Sequence, residues 1–290
     1  MFREDDPREH ASHDTRDRPA QADHSFTRQL SLPEGRRPEQ IGDYRLRGAE
    51  VRTLATVGSF RVIPRSDLER LSEANSRDVE RLREKGLLTT TPYMVGSRRT
   101  TVVTLTREGL ALLEEHRRDS HQSDRQLFYA GVARPRELAH DSRLFAAYVE
   151  TRERLANDGS RVKRVILEQQ LKREYQRFLQ DPNRGQRHSA ALLRRGRDAV
   201  SKWAKEHDLP VIRGSVRFPD MRIEYECLDG TRGHEDVEIV TGNYRGAHAA
   251  STKAAGFKCH GYSSARVGGR TSSNRGGRYR DPRLAEEMWR

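Results

Sequence analysis

Pro219-Asp220 and Glu238 are the residues of this chain best placed to do chemistry. They lie in PDMRIEYECLDGTRGHEDVEIVTG, which reads as strand, turn and strand. An acid at the start of one strand and an acid on its hairpin partner can face each other. There they would share a divalent cation, Mg²⁺ or Mn²⁺, with water and phosphate. In a plainer reading Asp220 caps a turn and Glu238 pairs with a nearby arginine. Cys227, His234, Cys259 and His260 have zinc-ligand chemistry, but Cys227 and Cys259 lack the short paired spacing of a zinc knuckle.

The elements that would position these acids are legible on either side. LAHDSRLFAAYVETRERLAND carries Leu138, Leu144, Phe145, Tyr148 and Val149 at helical period and stops at Asn157-Asp158-Gly159. RVKRVILEQQLKREYQRF begins as a strand and continues as a charged helix. AALLRRGRDAVSKWAKEHDL is a helix with Leu192, Leu193, Val200 and Trp203 on its apolar side, and FKCHGY is a last strand.

The first half has a different rhythm. RGAEVRTLATVGSFRVI predicts a helix ending near Gly58. PRSDLERLS and NSRDVERLREKGLL predict two more, the last closed by Gly86. LLTTTPYMV, GSRR and TTVVTLT form a hairpin, and TREGLALLEEHRR a final helix capped by Thr106. Three helices, a hairpin and a helix resemble a winged helix-turn-helix. The resemblance implies that the third helix enters the DNA major groove, presenting Asn75, Ser76, Arg77, Glu80 and Arg81. It places Arg98 and Arg99 at the wing tip, beside the backbone. Arginine suits both tasks, because its fork matches guanine and phosphate alike.

The Asp220–Glu238 hairpin resembles the PD-(D/E)xK nuclease layout. That motif carries a lysine two residues after its second acid; here the position is Val240, and the resemblance implies Lys253, in the helix-like run YRGAHAASTKAAGF, as the alternative and Glu150 or Glu168 as a third acid from an earlier helix or strand. Taken in order, the winged helix, the connector residues Phe128, Tyr129, His140 and Asp141, and the block of Pro219, Asp220, Glu238, Tyr244 and Lys253 resemble the replication-relaxation family of plasmid and mobile-element proteins. Members combine a winged helix with a nuclease-like domain and are linked with plasmid replication or conjugation. The resemblance covers roughly residues 44–262.

Composition agrees with a nucleic-acid partner. Fifty-five Lys and Arg against 43 Asp and Glu leave the 290 residues at +12. With 33% hydrophobic and 34% charged residues, the chain reads as folded modules with solvated tails. The expected class is α+β: a charged disordered tail over 1–43, a winged helix-turn-helix over 44–118 and a connector over 119–137. A restriction-endonuclease-like α/β domain over 138–262 and a Gly/Arg-rich basic tail over 263–290 complete it. No apolar run approaches the ~20 residues of a membrane span. MFREDDPREH has no secretory apolar core, and two cysteines suit a reducing cytoplasm. The expected partners are double-stranded DNA and replication or conjugation proteins, with a homodimer left open. Three functions stay open: a DNA-binding protein with a degenerate nuclease fold, an active metal-dependent nickase or endonuclease, and a transcriptional regulator with a dimerisation domain.

Overall fold

The computed structural model describes residues 25–71, 76–95, 98–118, 125–132, 137–180, 190–240 and 254–261. The fold is mixed α+β. A short antiparallel pair, β1 (Glu39–Ile41) and β2 (Tyr44–Leu46), leads into α1 (Gly48–Phe60). Then come β3 (Ile63–Pro64), α2 (Arg65–Leu71), α3 (Ser76–Glu84), β4 (Leu88–Val95), β5 (Arg98–Leu105) and α4 (Arg107–Glu115). The β4–β5 hairpin gains β3 on its other edge, giving the order β3-β5-β4.

Local chemistry explains these boundaries. The β-branched residues of Thr100–Thr104 favour the extended chain of β5. Thr106 caps α4, its hydroxyl accepting from the Gly109 amide at 3.0 Å. The α1 helix runs past Gly58 to Phe60, because Gly58 serves packing rather than termination. A Cβ there would lie 2.7 Å from Leu105 Cδ1 and 3.1 Å from Phe128 Cδ1. A side chain there would push Leu105 and Phe128 aside, so glycine favours this close approach of the hairpin and the Phe128 segment.

The second half contains α5 (Leu138–Asn157), β6 (Arg161–Leu167), α6 (Glu168–Gln180), α7 (Ala190–Glu206), β7 (Val211–Ile212), β8 (Ser215–Val216), β9 (Met221–Glu226), β10 (Arg232–Val240) and β11 (Lys258–Gly261). Four strands form a sheet in the order β11-β10-β9-β6. The pairs β6–β9 and β9–β10 are antiparallel, whereas β10–β11 is parallel. Leu167, Met221 and Val237 stand side by side across it. With Val165, Ile223 and Ile239 they belong to the core that includes α5, while Ile166 packs with Trp203 of α7. Residues alternate between the two faces with the period-2 pleat.

The chain does not divide where composition suggests. Phe26, Phe60, Phe145 and Tyr148 form one aromatic cluster, with ring centroids 5.0 Å apart for Phe60–Tyr148 and 5.3 Å for Phe60–Phe145. One apolar core therefore runs from the segment before β1, through α1, into α5 and the sheet. The expected tail over 1–43 is thereby corrected from residue 25 onward. Phe26, Leu30 and Leu32 are buried in the same apolar cluster as α1 and α5, because burial of apolar surface is favourable even where such side chains are sparse in a charged segment. The expected connector over 119–137 is corrected in its described part. The Gln126 side-chain amide pairs with the Val165 backbone, donating to its carbonyl at 3.1 Å and accepting its N–H at 2.8 Å. The Tyr129 amide donates to Gly58 O at 2.8 Å. Residues 1–24 and 263–290 lie outside the described residues. No helix among those described is long and apolar enough to cross a membrane.

Candidate functional site

Four chain segments meet at one end of the sheet. Residues after α1 bring Arg61, the first turn of α5 brings His140 and Asp141, the β6–α6 junction brings Glu168, and the start of β9 brings Asp220. Register does much of this work. Leu167 pairs with Met221, so Glu168 falls opposite Asp220, and the Glu168 amide donates to Asp220 O at 3.0 Å.

The side chains form a continuous chain of charge. Arg61 Nη1 donates to Asp141 Oδ2 at 3.2 Å. Asp141 Oδ1 faces His140 Nδ1 at 3.3 Å, and His140 Nε2 faces Asp220 Oδ2 at 3.0 Å. The same Asp220 oxygen accepts the Ile239 amide at 2.7 Å. Burial by itself disfavours the charged imidazole. The Asp141 and Asp220 carboxylates outweigh it and raise the His140 pKa from 6.5 to about 10. His140 is therefore an imidazolium at neutral pH, with both ring nitrogens donating. Arg61 reaches the chain from a backbone at φ +60°, ψ −60°, conformationally costly for a side-chain-bearing residue.

This arrangement differs from the expected metal pair. The β9–β10 ladder ends with Val237 opposite Met221, and Asp220 and Glu238 are the residues flanking that last pair. Their side chains have different surroundings. Asp220 lines a cavity with His140, whereas Glu238 is buried beside Cys259 of β11 and is not part of that lining. Burial first, and then the Glu238 charge, push the Cys259 thiol pKa up. Asp220 is thus committed to a cationic ring and a backbone amide, a poor setting for a divalent cation. Among the described residues no group of three or more His, Cys, Asp or Glu side chains is arranged to hold a metal. Of the two candidates for a third acid, Glu168 reaches the cavity, where it pairs with Lys172. Glu150 is exposed and meets His260 at 3.2 Å. Val240 ends β10 beside Gly261, and Lys253 and Tyr244 lie outside the described residues. The zinc-type residues are dispersed: Ser160 Oγ donates to Cys227 Sγ at 3.6 Å, and the Cys259 thiol donates to Phe257 O.

The cavity measures about 690 Å³. One wall is a single face of α6: Gln169, Lys172, Arg173, Gln176, Arg177 and Gln180, at helical spacing. The opposite face of α6 packs Leu171, Tyr175 and Phe178 onto Trp203. Arg61 and the α6 stripe are site residues that motif reading misses. The stripe's period is visible in the sequence, but nothing there says what it faces.

The expected DNA-reading residues occupy α3 and the hairpin. Arg77 and Arg99 are exposed, and neither makes an ion pair among the described residues. Ser76 donates to Glu69 at 2.7 Å, and Arg81 is drawn back onto Asp78 of its own helix at 3.6 Å. Glu80 sits between Arg83 at 2.7 Å and Arg65 at 2.6 Å, which hold its carboxyl below the usual range. Arg98 opens β5 opposite Val95, and Asn75 lies outside the described residues. Searches of family models, curated proteins and solved structures return no match to this chain.

Proposed function

We propose that this is a DNA-binding protein of the mobile-element replication or transfer type, in which a winged helix-turn-helix over residues 44–118 docks duplex DNA. In this reading α3 lies in the major groove and the β4–β5 hairpin runs beside the backbone. The observation that carries it is the order α2, α3, hairpin, with Arg77 and Arg99 exposed and outside any ion pair among the described residues. The net charge of +12 supports it, since such an excess attracts polyanions and speeds encounter. Arg81, turned toward Asp78, contributes less than motif reading assigns it.

We further propose that the second half is a nuclease-like scaffold that holds DNA or a partner without cutting. Its element order, α5-β6-α6-α7-β7-β8-β9-β10-β11, with β6, β9 and β10 antiparallel in one sheet and β11 added parallel to β10, supports the likeness. The His140 imidazolium on Asp220 and the valine at position 240 support the lack of cutting.

Fluorescence anisotropy on labelled duplexes over a salt series tests the binding. Arg99→Ala weakens all sequences alike and lowers the salt slope by about 1, as expected for one lost phosphate contact. Arg77→Ala costs about 1–3 kcal/mol of discrimination at the base it reads. Undiminished affinity of Arg99→Ala at low salt, with an unchanged sequence preference of Arg77→Ala, refutes the docking.

A further inference from the structure

We propose that the cavity between Arg61, His140 and α6 binds the phosphate monoester of a nucleotide, supplied by a DNA strand end or by a free nucleotide. The inference rests on the nucleic-acid reading and adds a second site to it.

The charges inside the cavity sort into two zones. Three pairs cancel locally, Arg61 with Asp141, His140 with Asp220 and Lys172 with Glu168, and Glu137 adds one further acid to the lining. Farther along α6, Arg173 and Arg177 are exposed and form no ion pair among the described residues. They stand one turn apart on one face, about 6 Å along the helix axis. Two guanidinium forks at this separation suit a group offering three charged acceptor oxygens, which a phosphate monoester does and a single carboxylate does not.

Buried donors add to the demand for an acceptor. The Arg61 side chain is only 9% exposed, and its Nε is buried with no hydrogen-bond partner among the described residues. Its guanidinium lies 5.5 Å from the centre of the Tyr129 ring, which stands behind the cavity and is not part of its lining. Unmet buried donors cost stability unless something occupies them.

Size and lining select the ligand class. A volume of 690 Å³ takes a small ligand of nucleotide dimensions and excludes a duplex. Gln169, Gln176 and Gln180 interleave with the arginines, and their amides both donate and accept, as a base edge or sugar hydroxyl requires.

The test uses the full chain and a short single strand labelled at its 3′ end, with either a 5′-phosphate or a 5′-hydroxyl. Deoxyadenosine monophosphate and deoxyadenosine serve as competitors. The phosphorylated strand should bind about tenfold tighter, roughly the effect of one charge-assisted contact. Arg173→Ala/Arg177→Ala should abolish that preference, and Arg173→Lys/Arg177→Lys should restore part of it. Both arginines are exposed, so the variants should fold, and an unchanged melting temperature verifies this. Displacement by the monophosphate but not the nucleoside, without an end preference, supports the site and assigns it to free nucleotide. Equal affinity for the two ends without displacement by the monophosphate overturns the inference, as does a preference that survives the double alanine variant. If duplex binding persists through that outcome, only the cavity assignment fails. If duplex binding is absent as well, the DNA-binding reading fails with it.

Discussion

His140→Ala removes the cation that links two carboxylates, and its cost follows from the geometry. Asp141 keeps Arg61 at 3.2 Å, whereas among the described residues Asp220 keeps only the Ile239 amide at 2.7 Å. Removing one partner of a buried ion pair costs about 3–5 kcal/mol. The His140 side chain is 31% exposed, so solvent screening reduces the expectation to about 2–3 kcal/mol. The pH dependence is more diagnostic than the size. The folded pKa is about 10 and the ordinary value 6.5, so the native state binds the proton more tightly. The stabilisation is fully present below the ordinary value and is lost as pH rises through the folded one. Urea unfolding of wild type and variant, from below pH 6.5 to pH 10, should show the gap between them narrowing. A gap that stays constant or widens with pH refutes the ion-pair account, as does a loss below about 0.5 kcal/mol at neutral pH.

Two further substitutions test the frame that holds the site. Asp236→Ala leaves Arg222 buried without its carboxylate, to which it donates from Nε at 2.7 Å and Nη2 at 2.8 Å. Urea unfolding should show a loss of about 3–5 kcal/mol, and a loss under 1 kcal/mol contradicts the assignment. Phe60→Ala empties the centre of the aromatic cluster and should cost about 3–5 kcal/mol. Because the core is continuous, calorimetry should show one transition in wild type and variant alike; two separate transitions contradict it.

Local chemistry made most elements legible and long-range packing made the site. The β-branched run of β5, the Thr106 cap and the Asn157-Asp158-Gly159 stop each act within a few residues. Asp220 and Glu238 flank the last pair of one hairpin ladder, Val237 with Met221, so their proximity along the backbone is also local and readable. The partner that Asp220 takes is His140, reached only when the first turn of α5 meets the end of the sheet. No spacing rule encodes that meeting. Phe26, Leu30 and Leu32 pose the same difficulty: in a charged segment their apolar character has no period, and it gains meaning only from the apolar cluster that receives them. The Gln126 amide imitates a backbone pair along β6, which composition reads as an ordinary polar residue in a connector.

The most direct test of the central claim is one gel. Purified protein is mixed with supercoiled plasmid, with and without Mn²⁺, and half of each sample is deproteinised before loading. Retarded plasmid that returns to its supercoiled position after deproteinisation, with metal as without, is the predicted result. Nicked or linear product that survives deproteinisation only with metal would contradict the account of Asp220 as held by His140. Plasmid that is not retarded even at low salt would contradict DNA binding itself.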